Sequence, residues 1–398
     1  MAGFELAGLS ISLYKQVWSG AASRVIPIRS ALANKVSSYS HEIVADGGYW
    51  SCNFNLEATR EEAEDWLKLL AFHVEVYNEA TDKIWEGFVD EVSISLGTFS
   101  VTRGPVLDIA NKTDVSYQTP SYNFNAGIVV GGDQNISGTV EDSTSQGVYG
   151  VREKRLSAGT ASDTEGDQLN QTYMDDNKDP KVSQQVTVGG SGGGSISVEV
   201  NCKGYAHMLD NLPTDTAAAG TMNLTDKIME VLASHPDSIF STSTKDVTTN
   251  TTQVAQYYEA DQVTMGIIKG MVALGDSSNN RYTWGIYNDL TMHYKAASTT
   301  KISYEHRITD SGQRIIDSLA GSEVQPWNIL PARNMIIADF LVGDSLTGES
   351  TAAFSLITDP RVMFIESVRY TAPYAVQLQG GRTDKISQQL ERLSLGGL

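Results

Sequence analysis

The sequence predicts a β-rich α+β protein: two antiparallel β-domains, barrels or sandwiches, with a small α/β module inserted into the second. Three observations lead there. Apolar and polar residues alternate with period two along much of the chain, as in Val92, Ile94 and Leu96 against Glu91, Ser93 and Ser95. Tight-turn residues separate these runs at hairpin spacing, among them Asp46-Gly47-Gly48 and Gly97-Thr98. Helical periodicity is confined to a few short segments.

Taken in order, residues 1–118 form a first β-domain. "FELAGLSISLYK" and "RVIPIRS" read as strands, and "SYSHEIVADGGYWSCNFNLEA" as two strands around the Asp-Gly-Gly turn. "TREEAEDWLKLLAF" is a helix, with Thr59 as N-cap, Glu62 at the capping-box position and Trp66, Leu67 and Leu70 as its apolar stripe. "HVEVYN" and the hairpin 84–102 complete the unit. Residues 119–219 begin a second β-domain. Here "TEGDQLNQTYMDDNKDP" is a short helix ending before Pro180, and "KVSQQVTVGGSGGGSISVEVNCKGYAHML" reads as a hairpin with a glycine-rich tip. Residues 220–297 form the inserted α/β module. "NLTDKIMEVLASH" and "DQVTMGIIKGMVALGD" are its helices, and "RYTWGIYNDLTMHYKAA" supplies two strands around Asn288-Asp289. Residues 298–382 return to strands and complete the second domain, leaving 383–398 as an amphipathic tail.

Length and charge narrow the function classes. A chain of 398 residues exceeds what one core organises. No run approaches the ~20 apolar residues of a membrane helix, so stable insertion is not expected. The N-terminal residues lack a basic leader followed by an apolar core, so no secretory signal is expected. The formal charge of −19 argues against wrapping nucleic acid, which is bound by Lys and Arg. Cys52 and Cys202 sit inside alternating runs and read as small buried strand residues. Five N-x-[ST] triplets, at Asn111, Asn135, Asn170, Asn223 and Asn250, read as chance matches.

Catalytic and ligand-binding patterns fail on their spacing. "GGSGGGS" has neither a following helix nor the lysine of a phosphate loop. Asp175, Asn177 and Asp179 imitate the opening of a calcium loop, but Pro180 replaces its glycine and Val186 its final glutamate. The histidines at 41, 73, 207, 235, 293 and 306 form no metal motif, and there is no G-x-S-x-G elbow. No catalytic residue, cofactor or metal is expected. A hydrolytic acid pair, set in space rather than in sequence, stays open.

The segments "WEGFVDEVSISLGTFSVTRGPVLDIANKTDVSY", "YGVREKRLSAG", "CKGYAHML", "WGIYNDLTMHY" and "VQPWNILPARNMIIADFL" fall within about residues 75–340. Taken in that order, they resemble segments of tailed-bacteriophage tail-tip or baseplate hub proteins. The resemblance implies two tail-tube-like β-domains per chain and a homotrimeric ring. It further implies a structural role in the virion, at the tail tip, for a protein made in the host bacterial cytoplasm. Its partners would be a tail tube or distal tail protein, a tape-measure protein and a tip or fibre protein, with DNA passing through the ring without sequence-specific binding. On this view Asp90 and Glu91 are candidates to line the channel. Gly190, Gly192 and Gly193 are candidates for an interface, as are Ile386, Leu390 and Leu393, which form one face of the tail. That face either packs on its own body, docks on a neighbour or bundles with symmetry mates. A receptor- or carbohydrate-binding tail component is the alternative reading, and a cell-wall hydrolase a more distant one.

Overall fold

The computed structural model describes residues 9–17, 23–29, 36–78, 81–123, 128–187, 195–211, 221–233, 245–255, 263–278, 280–296, 298–308, 314–318, 333–338, 361–371 and 375–381. Strands dominate. The first segment contributes β1 (Ser10–Val17), β2 (Ser23–Arg29), β3 (Val36–Val44), β4 (Gly47–Ala58), α1 (Arg60–Trp66), β5 (His73–Tyr77), β6 (Lys83–Leu96) and β7 (Phe99–Arg103). Next come β8 (Lys112–Asn123), β9 (Ile128–Ile136), β10 (Val140–Glu141), α2 (Ser143–Tyr149), β11 (Glu153–Thr160), α3 (Asp163–Asn177), β12 (Val182–Val186) and β13 (Ile196–Lys203). The mixed segment holds β14 (Thr221–Asn223), α4 (Leu224–Ala233), β15 (Lys245–Val247), β16 (Gln253–Ala255), α5 (Thr264–Ala273), β17 (Tyr282–Tyr287) and β18 (Thr291–Ala296). The last strands are β19 (Ser298–Ile308), β20 (Arg314–Ser318), β21 (Arg333–Ala338), β22 (Arg361–Thr371) and β23 (Ala375–Gly381).

Local signals hold where they are strongest. Thr59 Oγ1 accepts from the Glu62 N–H at 3.3 Å while the Glu62 carboxylate accepts from the Thr59 N–H at 3.0 Å, a complete capping box for α1. The buried Trp66 of that helix meets Phe54 of β4 edge-on, with ring centroids 5.9 Å apart. Hairpins β3–β4 and β6–β7 form at Ala45-Asp46 and Gly97-Thr98. α3 ends at Asn177, before Pro180.

Pairing between distant segments builds the large sheet. Following the ladders, β2 pairs with β1, β1 with β5, β5 with β6, β6 with β13, β13 with β4, β4 with β3 and β3 with β22. The expected glycine-tipped hairpin of β12 and β13 does not form. Both edges of β13 are occupied, by β4 on one side and β6 on the other, while β12 adds to β7. Alternation fixes which way side chains point but not which strand lies alongside, and β13 is apolar enough to fill the gap between β4 and β6. Residues 188–194 between these strands, including Gly190, Gly192 and Gly193, lie outside the described residues, as do Ile386, Leu390 and Leu393.

A smaller sheet centres on β8, with β9 and β10 antiparallel and β11 parallel to it. Asn170 of α3 locks the helix to this sheet. Its amide accepts from Thr113 Oγ1 at 2.6 Å and donates to the Thr113 carbonyl at 3.1 Å and the Gly138 carbonyl at 2.8 Å. Asn111, Asn170 and Asn250, three of the five triplet asparagines, are buried with their amides used in this way, which leaves them no room for a glycan. α2 is not legible in the sequence, since "STSQGVY" carries no apolar stripe; the Asp142 carboxylate caps it by accepting from the Ser145 N–H at 2.9 Å.

The mixed segment joins the large sheet where two glycines meet. β17 runs parallel to the start of β4, with Gly285 opposite Gly47 and Ile286 opposite Gly48. A β-carbon on Gly48 would stand 2.4 Å from the Ile286 carbonyl oxygen, and Gly48 also has φ of +78°. Both conditions exclude a side chain. Gly48→Ala is therefore expected to destabilise the protein by at least ~2 kcal/mol in urea unfolding. Gly138→Ala, where nothing lies within 4 Å of the added methyl, should stay within about 0.5 kcal/mol of the native protein.

Candidate functional site

Among the described residues, a dense group of ionisable side chains lies between β5 and β6. In "HVEVY" the polar residues His73, Glu75 and Tyr77 share one face, while Val74 and Val76 on the other are buried in the core. Such a strand would ordinarily show its polar face to water. Here Glu75 is 3 % exposed and Glu86, directly opposite it on β6, 1 %. Two carboxylates facing each other across a ladder repel. Lys83 resolves this by placing Nζ 2.7 Å from Glu75 Oε1 and 2.8 Å from Glu86 Oε2.

The remaining oxygens are also occupied. Tyr77 donates its hydroxyl to Glu75 Oε2 at 2.7 Å. Asp289 and Leu290, consecutive residues at φ of 60° and 58°, turn their N–H groups onto Glu86 at 2.8 and 3.3 Å. Successive N–H groups in such a turn make a small anion-binding concavity. Lys83 Nζ reaches Asp289 Oδ1 at 3.0 Å as well, and Tyr49 donates to Asn288 Oδ1 at 2.7 Å. On the far side His73 Nδ1 bonds the Tyr205 hydroxyl at 2.7 Å, and its Nε2 lies 3.3 Å from Glu75 Oε1. Strand residues from β5 and β6, Tyr205 after β13 and the 288–290 turn after β17 thus converge on one cluster.

Burial alone would raise the Glu75 carboxyl, but hydrogen bonds from His73, Lys83 and Tyr77 outweigh it and hold the group well below the usual carboxylate range. Burial likewise pulls Lys83 down, and the charge of Glu86 together with the bonds to Glu75, Glu86 and Asp289 drives it above its ordinary value. Tyr77 is pushed up to about 12 by burial and by its bond to the Glu75 carboxylate. The ionised forms of Glu75 and Lys83 are therefore the stable ones.

His73, Glu75 and Glu86 also have the donor set of a divalent-cation site, with one ligand atom from each lying within 4.8 Å of the others. Lys83 Nζ bridges the same two carboxylates and supplies the positive charge such an ion would bring.

The sequence-predicted channel residues lie nearby on β6. Asp90 is 4 % exposed and accepts the Leu107 N–H at 3.0 Å, and burial raises its carboxyl. Glu91 is half-buried and accepts from Asn201 Nδ2 at 3.1 Å. The structure does not bring either into the cluster. Sequence reasoning missed Glu75, Lys83 and Glu86 because polar residues on alternate strand positions ordinarily mark the solvent face. A signal is that Phe88, two positions beyond Glu86 on the same face of β6, is apolar.

No family model matches this chain, and neither does any curated protein. Solved structures to which the chain is similar include a tail protein from Neisseria meningitidis (7 % identity, 94 % of this chain and 97 % of that one, TM-score 0.40). A second is the 43 kDa tail protein of a Shewanella oneidensis prophage (8 % identity, 95 % and 98 %, TM-score 0.40). A third is a prophage tail protein from Listeria monocytogenes (8 % identity, 98 % and 99 %, TM-score 0.36).

Removing the cation of the cluster leaves two buried carboxylates facing each other. Lys83→Met should cost about 3–5 kcal/mol in denaturant unfolding. Adding Glu75→Gln and Glu86→Gln to that variant should recover a large part of the loss, since the uncompensated charges are then gone. A triple variant as unstable as the single one would show that charge is not the cause.

Acid should weaken the fold from just below neutrality. Burial lowers His41 to about 3 and His207 to about 4, from 6.5. Between those values the unfolded chain holds the protons and the native one does not, so their stabilisation is fully present above pH 6.5 and lost as pH falls. Glu75 adds a loss below its ordinary value of 4.5. Asp46 and Asp90, raised by burial, act in the opposite direction. Near pH 5 the two histidines contribute an uptake of about two protons on unfolding, a slope of about 3 kcal/mol per pH unit. Unfolding free energies measured from pH 7 to pH 4.5 check this, and a flat profile contradicts it.

Proposed function

We propose that this chain is a structural protein of a bacteriophage tail, a hub at the tip or baseplate that joins the tail tube to the distal tip or fibre. It acts by assembly, as a homotrimer surrounding the passage for DNA. The observation that carries this reading is how the chain spends its charged groups. A site for chemistry keeps reactive groups open towards a substrate. Here the strongest cluster of acids, lysine and histidine is consumed in mutual pairing, and it fastens strands drawn from three parts of the sequence.

Further support comes from the ordered segment resemblance between about residues 75 and 340 and from the charge of −19, which suits a wall that DNA passes without sticking. On this reading residues 1–118 form one tube-like β-domain, and 119–219 with 298–382 form the other. Residues 220–297 are the lateral insertion, and 383–398 a tail available to neighbours. The contacts are a tube or distal tail protein, a tape-measure protein and a tip or fibre protein. The protein is made in the host cytoplasm and ends in the virion.

Sedimentation equilibrium at micromolar concentration is expected to give three times the chain mass of 43.1 kDa. Images of the assembled particle should place the resulting ring at the distal end of the tail. A monodisperse monomer that is absent from purified particles would overturn the reading.

A further inference from the structure

We propose that Cys52 and Cys202 are a latent redox pair, which closes to a disulfide stapling β4 to β13 when the chain folds in the presence of a small organic disulfide. The two residues are direct register partners of antiparallel strands. Both are free and buried, at 0 and 1 % exposure. Directly opposed residues of an antiparallel ladder have Cα atoms about 4.5–5.5 Å apart. A disulfide spans about 4.4–6.8 Å between Cα atoms, so the two backbones lie within the range that closure requires.

The surroundings are more polar than packing requires. A single cross-strand row runs from Tyr370 of β22 through His41 of β3 to Cys52 and Cys202, and ends at Val89 of β6. The Tyr39 hydroxyl lies 2.9 Å from His41 Nδ1. The Cys52 thiol therefore has an imidazole as its neighbour in that row.

Closure proceeds by two exchanges with one molecule of glutathione disulfide. One cysteine thiolate attacks a glutathione sulfur, which forms a mixed disulfide and releases one glutathione thiolate. The second cysteine thiolate then attacks the protein sulfur of that mixed disulfide and releases the other. Two cysteine thiols are oxidised and one glutathione disulfide is reduced, and the two thiol protons pass to the released glutathione. Burial pushes the Cys202 thiol well up, so the thiolate is scarce in the folded chain and exchange belongs to folding or to transient opening of β13.

Refolding the reduced chain from denaturant in excess glutathione disulfide tests this. Quenching with iodoacetamide under denaturing conditions, followed by mass analysis, reads the outcome. The expected product is about 2 Da lighter than the reduced chain and carries no alkylated cysteine. It yields one linked peptide pair containing Cys52 and Cys202. Because the bond encloses roughly 150 residues, its thermal midpoint should lie about 6 °C above that of the reduced protein. Incubating native protein with glutathione disulfide in sub-denaturing urea reads the same closure without complete unfolding. Two alkylatable thiols, or stable glutathione adducts on either cysteine, would overturn the proposal.

Discussion

The large sheet depends on one insertion, that of β13 between β4 and β6. Among the described residues no ladder joins β4 directly to β6, although both belong to the first hundred residues. β13 fills the gap with Val198 and Val200 fully buried and with ladders along both edges. Its two flanking strands therefore cannot complete their hydrogen bonding until residues about a hundred positions later arrive. A long loop must close before that contact forms, which makes the pairing non-local and its ordering cost correspondingly large.

β13 also positions the residues on its C-terminal side. Lys203 and Gly204 lead directly into Tyr205, whose hydroxyl bonds His73 and so ties the strand to the charged cluster. The other side of that cluster is closed by the 288–290 turn, which the Gly48–Gly285 approach holds against the start of β4. Buried charge is costly unless each group finds a partner. Glu75, Lys83 and Glu86 meet that condition only when β5, β6, β13 and β17 have all been placed. The cluster thus reports correct assembly of the sheet, and a misplaced strand would leave ionised groups unpaired.

Arg152 plays the same part between the two sheets. It lies just before β11, is buried, and holds its guanidinium 5.2 Å from the centroid of the Phe88 ring on β6. Burial lowers it to about 10, partly offset by the charge of Asp90. Its backbone is fixed from the small sheet, where Asn111 Oδ1 accepts the Arg152 N–H at 2.7 Å and the Arg152 carbonyl accepts the Asn111 N–H at 3.0 Å. Asp90 thereby has neighbours in both sheets.

Features that depend on near neighbours are legible in the sequence. Thr59 and Glu62 marked the start of α1, Gly97-Thr98 marked the β6–β7 turn, and period-two alternation gave β3, β4 and β6 their two faces, because caps, turns and pleats act over a few residues. The sequence also indicated Cys52 and Cys202 as buried strand residues. Only tertiary structure decided that those cysteines face each other, that β12 and β13 part to different neighbours, that β11 runs parallel to β8, and that the polar face of "HVEVY" is inside. The physical reason is common to all four. A strand's sequence specifies the orientation of its side chains, but its hydrogen-bonding edges are chemically alike in every strand. Which edges meet is settled by the combined burial and charge pairing of segments far apart in the chain.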